Sequence, residues 1–290
     1  MHQKSLLFAV LLIVFAVSAL HAQQRDPIVT DRPDQTESAA IVPAGWLQIE
    51  AGVTYEEGAA SYLGYDHASH WTTQLPAMLL RLGMNDRFEL RVGAALTRMI
   101  STFRDGPLNQ TGAVWPDVHT DTLGFEPFSL GMKAALSEEN GLIPQAAVIA
   151  TVGIPGLGAD WFNIRWPAPE IRLAFAHTLS DVFSLGYNLG IAWDGSWSPV
   201  HAGYYSLVLG AGVTERIAAY AELYGDLPGD MSALHRADAG LTFLLNPDLQ
   251  LDLSAGMALS EPDVRIAHYR MDSYVGAGVS WRVPLFAPAK

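Results

Sequence analysis

The side chains of this 290-residue chain that could do chemistry fall into two sets: charges that share one phase of alternating segments, and histidines in polar stretches. Glu50, Glu89, Glu170, Glu222, Asp238 and Asp252 share that phase with Arg81, Arg91, Lys133, Arg172, Arg236 and Arg282. Charges of both signs in near balance can fill an interior as a salt-bridge network, or line a path and select a permeating solute. The second set is imidazole. His67, His70, His119, His201, His235 and His268 lie in or at the ends of long links, with Asp66 beside His67 and Asp117 and Asp121 flanking His119. Imidazoles with carboxylates can bind zinc or copper, but no spacing here matches a strong metal signature. His177 stands on an alternating segment with Ser180 nearby, and a nucleophile–base pair also needs an orienting third group. None is visible, and phosphate-cradling glycine loops are absent. We expect no enzyme activity, no metal and no cofactor.

The segments that carry these charges read as β-strands. Phe183, Leu185, Tyr187, Leu189, Ile191 and Trp193 alternate with small or polar residues, as do Phe88 to Leu96, Leu249 to Met257 and Val275 to Trp281. Period-two alternation means one apolar face and one polar face. Twelve such strands are expected near 45–56, 71–83, 87–99, 122–136, 142–152, 167–179, 182–193, 203–213, 217–225, 236–245, 249–259 and 272–283. Of these, 142–152 is apolar on both phases. The links alternate between short turns, rich in Asn, Asp, Ser, Pro and Gly, and long loops near 57–70, 100–121, 153–166, 194–202, 226–235 and 260–271. A sandwich has no reason to sort its loops in this way, whereas a transmembrane barrel has short periplasmic turns and long outer loops. Tryptophans fit: Trp71, Trp161, Trp166, Trp193 and Trp197 fall at outer strand ends, Trp46 and Trp281 at inner ends, where headgroup belts form.

Composition narrows the class. Half of the residues are hydrophobic, only 16% are charged, and the net charge is −13. That balance excludes a disordered chain and a nucleic-acid binder, which needs clustered Lys and Arg. The absence of cysteine excludes thiolate metal sites and disulfide staples. Residues 1–22 combine Lys4, an apolar run from Leu6 to Leu20, and Ala22, which reads as a cleaved signal peptide. The alternative, an anchoring helix, would need a longer run. An exported hydrophobic chain without later helical spans is expected to be a closed barrel, because a barrel satisfies its own backbone in lipid. Residues 23–44 then form a polar N-terminal segment on the periplasmic side, too charged for lipid, which could fold into the mouth as a plug, and 45–290 form the barrel.

Thr30 to Asp34, Thr36-Glu37-Ser38 and Pro43 to Glu50 carry a resemblance that continues through Leu80 to Gly83, Asp86 to Arg91, Ala221 to Gly225 and Leu249 to Asp252. The chain resembles the outer-membrane transporter barrels labelled the meta-pathway of phenol degradation family. The resemblance implies an all-β, up-and-down antiparallel outer-membrane barrel acting as a transporter, and it carries no catalytic residues. The resulting expectation is a passive channel for small molecules, apolar or aromatic ones among them. Its partners are outer-membrane lipid, the solute and the outer-membrane insertion machinery, with no nucleic acid. The alternative is a plugged structural or adhesive barrel that binds an outside partner through its long loops.

Overall fold

A computed structural model of the chain describes residues 26–60, 67–106, 114–196, 201–229, 232–260 and 269–286. The expected signal peptide lies outside the described residues, as do Trp197 and His268. Thirteen strands run in order: β1 (Trp46–Ala60), β2 (His67–Asn85), β3 (Phe88–Arg104), β4 (Val118–Phe125), β5 (Ser129–Ser137), β6 (Gln145–Gly153), β7 (Ala168–Thr178), β8 (Phe183–Trp193), β9 (His201–Gly212), β10 (Ile217–Pro228), β11 (Leu234–Asn246), β12 (Leu249–Ala258) and β13 (Tyr269–Pro284). Each pairs antiparallel with its neighbours, and β1 pairs with both β2 and β13, which closes the sheet. Closure removes the edges that an open sheet would expose to lipid.

The barrel has twelve positions, because β4 and β5 both lie along β3: Leu96 to Phe103 pair with β4, and Phe88 to Gly93 pair with β5. The single strand expected over 122–136 is therefore two, separated at Glu126-Pro127-Phe128. Pro127 supplies no ladder donor, so the interruption falls where a proline must be accommodated. A second irregularity, at Leu75-Pro76 in β2, lies across β3 from it. Each shifts the alternation: the lumen-facing phase in β2 runs through Arg81, Leu79 and Ala77, then continues at Gln74 and Thr72. The wall is also taller than expected on one side, since β1 and β2 take in 57–60 and 67–70, and β3 and β4 take in 100–104 and 118–121, of the stretches read as long loops. Five of the six loop histidines are thus strand residues or strand ends, His268 being outside the described residues. His70 faces the lumen, bonded to Ser101 and Thr72, both at 2.9 Å.

The turns form as their sequences require. The Asn85 carboxamide oxygen accepts from the amides of Arg87 (2.8 Å) and Phe88 (3.0 Å), and the Ser180 hydroxyl from Val182 and Phe183. Thr214 does the same for Arg216 and Ile217, so short side chains hold the backbone bonds of each reversal.

Burial is inverted relative to a water-soluble fold. Leu189 and Leu253 on the outer phase are 54% and 59% exposed, while Arg81, Glu89 and Lys133 are 0% exposed. Apolar residues face outward toward lipid, and charges are enclosed. His177 lies on the outer phase and stacks on Tyr187 with centroids 6.1 Å apart. The double-phase apolar strand β6 also has a reason: its inward Ala147 and Ile149 pack with Ala174 against Ala39, which belongs to the N-terminal segment.

Candidate functional site: the lumen and its N-terminal segment

Residues 26–44 precede β1 and lie within the barrel, bonded to side chains from much of the wall. Near the short turns, the Ile28 amide donates to the Pro247 carbonyl at 2.7 Å, and Arg282 donates to the carbonyl of Asp26 at 2.8 Å. Farther along, the Asp31 amide meets both Glu50 carboxylate oxygens, and the Gln35 amide donates to Glu222 at 2.7 Å. The Glu37 amide donates to Asn188 at 2.7 Å, and the Val42 amide to Glu89 at 2.9 Å. A segment without helix or strand has orphan amides, and here lumen carboxylates and carboxamides accept them.

Asp31 is the centre of the ion-pair network. Arg91 lies 2.6 Å from its carboxylate, Lys133 2.9 Å and Arg81 3.2 Å, while the Ser38 hydroxyl donates at 2.7 Å. Burial alone would raise this carboxyl, but Arg81, Lys133 and Arg91 outweigh it and hold Asp31 well below the usual carboxylate range. Arg81 also pairs with Glu50 (2.9 Å) and Glu89 (2.8 Å), and Arg91 with Glu37 (2.6 Å). Arg172 pairs with Glu170 at 2.9 Å and bonds the Gln35 carbonyl at 3.0 Å. Arg282 pairs with Asp248 at 2.8 Å, Arg236 with Asp226 at 2.7 Å, and Arg32 of the segment with Asp252 at 3.3 Å. Asp238 accepts from the Tyr274 phenol at 2.6 Å, and Glu222 from the Thr36 hydroxyl at 2.5 Å.

All twelve charges of the inward phase therefore face the lumen. Their partners come from the N-terminal segment as often as from the wall. Asp31, Arg32 and Glu37 have no strand alternation to mark them; the signal available was their density in a stretch too polar for lipid. Glu126 was hidden for a different reason. Alternation carried up from Lys133 and Gly131 would aim it at lipid, whereas the interruption at Pro127 turns it inward, where Thr97 donates to it at 2.6 Å.

Arg32 reaches Asp252 by crossing Gly278 and Gly52, which have no side chain to block it. A methyl group at Gly278 would stand 2.6 Å from the Arg32 Nε and 2.7 Å from the Asp252 carboxylate. Gly278→Ala is expected to displace this guanidinium, leave the barrel folded, and raise single-channel conductance by loosening the segment. An unaltered conductance would show that Arg32 does not restrain it.

On the side of the segment toward the long loops is a chamber of about 440 Å³, floored by Asp31 to Gln35 and walled by Glu56, Gln74, Tyr224, Arg236 and Tyr274. A second cavity of about 240 Å³ lies at the wall interruption, beside Ala77, Leu79, Gly93, Ala95 and Pro127, with Arg32 and Glu126 at its polar end. The first can hold a small polar or aromatic solute, and the second presents mainly apolar and small residues.

Comparison with known proteins agrees with this architecture. The family model described as "Putative MetA-pathway of phenol degradation" matches residues 30–265. The crystal structure of the COG4313 outer membrane channel from Pseudomonas putida F1 superposes with a TM-score of 0.63 at 11% identity, covering 88% of this chain and 100% of that one. The translocator domain of the autotransporter NalP from Neisseria meningitidis gives 0.51 at 12% identity, covering 82% and 88%. The transport unit of the autotransporter AIDA-I from Escherichia coli gives 0.51 at 9%, covering 83% and 90%. No curated protein matches the sequence.

Proposed function

The chain belongs to the MetA-pathway of phenol degradation family, and on that premise we propose that it is a passive outer-membrane channel for small molecules, aromatic and apolar ones among them. The observation that carries this reading is a closed wall of twelve positions around a chamber of about 440 Å³. A lumen of that size admits a single aromatic ring, and Tyr224 and Tyr274 offer it ring faces while Gln74 and Arg236 offer hydrogen bonds. The second cavity, with Ala77, Leu79 and Ala95, gives an apolar solute a non-polar shelf beside the chamber. Nothing in this arrangement calls for a reaction. The solute moves down its own gradient, and the protein supplies the path and the filter.

The N-terminal segment acts as a plug in the half of the lumen nearest the short turns. Its bonds to Glu50, Glu89, Asn188 and Glu222 support that role, since they tie it to widely separated strands. The inward charges then serve two ends: Arg81, Arg91 and Lys133 hold the plug, and the charges bordering the chamber tune what passes.

Liposome swelling tests the channel reading. Vesicles holding the refolded mature chain are expected to swell in isosmotic phenyl glucoside faster than protein-free vesicles. Swelling equal to that of empty vesicles, with a partner retained by the outer loops, would instead support the loop-binding alternative.

A further inference from the structure

Three tyrosines of the inward phase share an arrangement that alternation alone does not explain. Tyr204 on β9, Tyr220 on β10 and Tyr274 on β13 each stand directly across a ladder from a glycine. Those glycines are Gly190 on β8, Gly240 on β11 and Gly256 on β12. Each ring lies over its glycine so closely that a methyl group there would overlap ring atoms. Glycine weakens a strand, and one reason to place it there is close approach by another group. Here that group is a phenol ring, laid sideways against the wall.

Of these three tyrosines, Tyr274 borders the chamber of about 440 Å³, yet it is only 6% exposed. Its register accounts for this. Asp238 of β11, Gly256 of β12 and Tyr274 of β13 form one row across three strands. Strands two apart are separated by roughly 10 Å, so the phenol reaches β11 only by crossing the middle strand. It does so over Gly256, and donates to the Asp238 carboxylate at 2.6 Å. A buried tyrosine usually finds such a partner for its hydroxyl. The glycine makes room for the ring, and the carboxylate fixes its far end.

We propose that Gly256 and Asp238 are positioning residues that hold the Tyr274 ring out of the solute path, so that Tyr274 sets the width of the chamber and the size of solute it passes. The inference rests on the channel reading above for its consequence in transport; the placement of the ring does not. A methyl group at Gly256 would meet the ring on one side and stand 2.8 Å from the Asp238 Cβ on the other. Overpacking of this kind is relieved by moving side chains, and the chamber is the open space beside this ring. The displaced ring then enters it near Thr54 and Glu56, the latter being the register partner of Tyr274 on β1.

Two measurements on the refolded mature chain test it, with heat-modifiable mobility as the check of folding. In liposome swelling, Gly256→Ala is expected to slow phenyl glucoside severalfold and the smaller arabinose less. Tyr274→Ala is expected to speed phenyl glucoside, and added to Gly256→Ala it restores at least the parent rate. A glycine needed only by its own strand would lose flux that truncating the ring does not return. Failure of that rescue, a parent rate in folded Gly256→Ala, or no gain from Tyr274→Ala therefore overturns the proposal. The second measurement needs no flux. The chain has no cysteine, so Thr54→Cys places a single thiol in the chamber. Its labelling by a maleimide is expected to slow severalfold with Gly256→Ala and to recover when Tyr274→Ala is added. Tyr274→Phe keeps the ring but removes its bond to Asp238, and should slow labelling in the same direction; an unchanged rate overturns the role of Asp238. Labelling that follows this pattern in a barrel passing no solute overturns the channel reading and leaves the placement of the ring standing. Labelling indifferent to Gly256→Ala overturns the positioning itself.

Discussion

Deleting residues 25–40 from the mature chain is expected to raise its single-channel conductance severalfold. In the intact protein, the segment joins opposite parts of the wall: Glu37 meets Asn188 of β8, Thr36 meets Ser206 of β9, and Val42 meets Glu89 of β3. Taking it away removes the floor of the chamber and leaves a lumen bounded by the wall alone. The wall does not depend on it for closure, since backbone ladders join β1, β2, β3 and β5 through β13 into a ring, with β4 paired to β3 alone. Arg81 keeps Glu50 and Glu89, and Arg282 keeps Asp248, so most enclosed charges remain paired after the deletion. Heat-modifiable mobility on gels checks that the barrel has folded, and planar-bilayer recording reads the result. Steps of unchanged size from a folded deletion variant would show that the segment does not obstruct the path.

The second large effect is expected at Asp31. Its carboxylate faces Arg81, Arg91 and Lys133, and Lys133 has no other carboxylate within ion-pair distance among the described residues. Asp31→Asn removes the charge with little change of shape and leaves a fully enclosed ammonium uncompensated. Breaking a buried pair in this way costs roughly 3–5 kcal/mol, most of it the penalty of the stranded partner. The readout is accessibility: the chain has no cysteine, and Ala39, a residue of the segment that is 2% exposed against the wall, gives a single reporter thiol as Ala39→Cys. A loss of about 3 kcal/mol raises the open fraction, and the maleimide labelling rate, by roughly a hundredfold. Adding Lys133→Met should restore much of the protection, because both charges are then gone. Equal labelling of Asp31→Asn and the parent would show that this contact does not hold the segment.

The same contact sets an acid limit. The folded-state pKa of Asp31 lies well below its unfolded value, so its contribution is complete above the ordinary carboxylate range and is lost as pH falls through the folded value. Labelling, taken relative to an exposed thiol at the same pH to remove the falling thiolate fraction, should therefore be flat from neutral pH down to the ordinary carboxylate range and rise only in stronger acid. Asp34, on the same segment, is shifted the other way: burial and the charges of Glu222 and Asp238 push it well above that range. As pH rises through its folded value, its contribution is lost, opposite in sign to that of Asp31.

What could be read from the residues alone follows from the strength of period-two alternation in lipid. A wall with hydrocarbon outside and polar side chains inside writes its phase into every regular strand, so Leu249 to Met257 and Phe183 to Trp193 appeared with their faces already sorted. The same rule assigned Glu50, Arg81, Glu89, Arg91 and Lys133 to one surface. Turns were legible because Asn85, Ser180 and Thr214 make their bonds two or three residues away, within the reach of local sequence. Alternation failed where the backbone departs from a regular ladder. The breaks at Leu75-Pro76 and Glu126-Phe128 shift the phase, so Glu126 points opposite to its apparent side and one strand becomes two.

The partners of the enclosed charges were beyond sequence for a deeper reason. Lys133 and Asp31 are 102 residues apart, and Arg32 and Asp252 are 220 apart. Such pairs exist only because closure of β1 on β13 brings the start of the barrel beside its end, around a segment with no periodicity of its own. By itself, the sequence determined that this chain encloses charge inside a membrane-spanning wall, because each strand had to satisfy lipid on one face. Only the tertiary structure decided which charges neutralise each other and which are left facing the chamber, because that balance depends on distances between strands that no local pattern encodes.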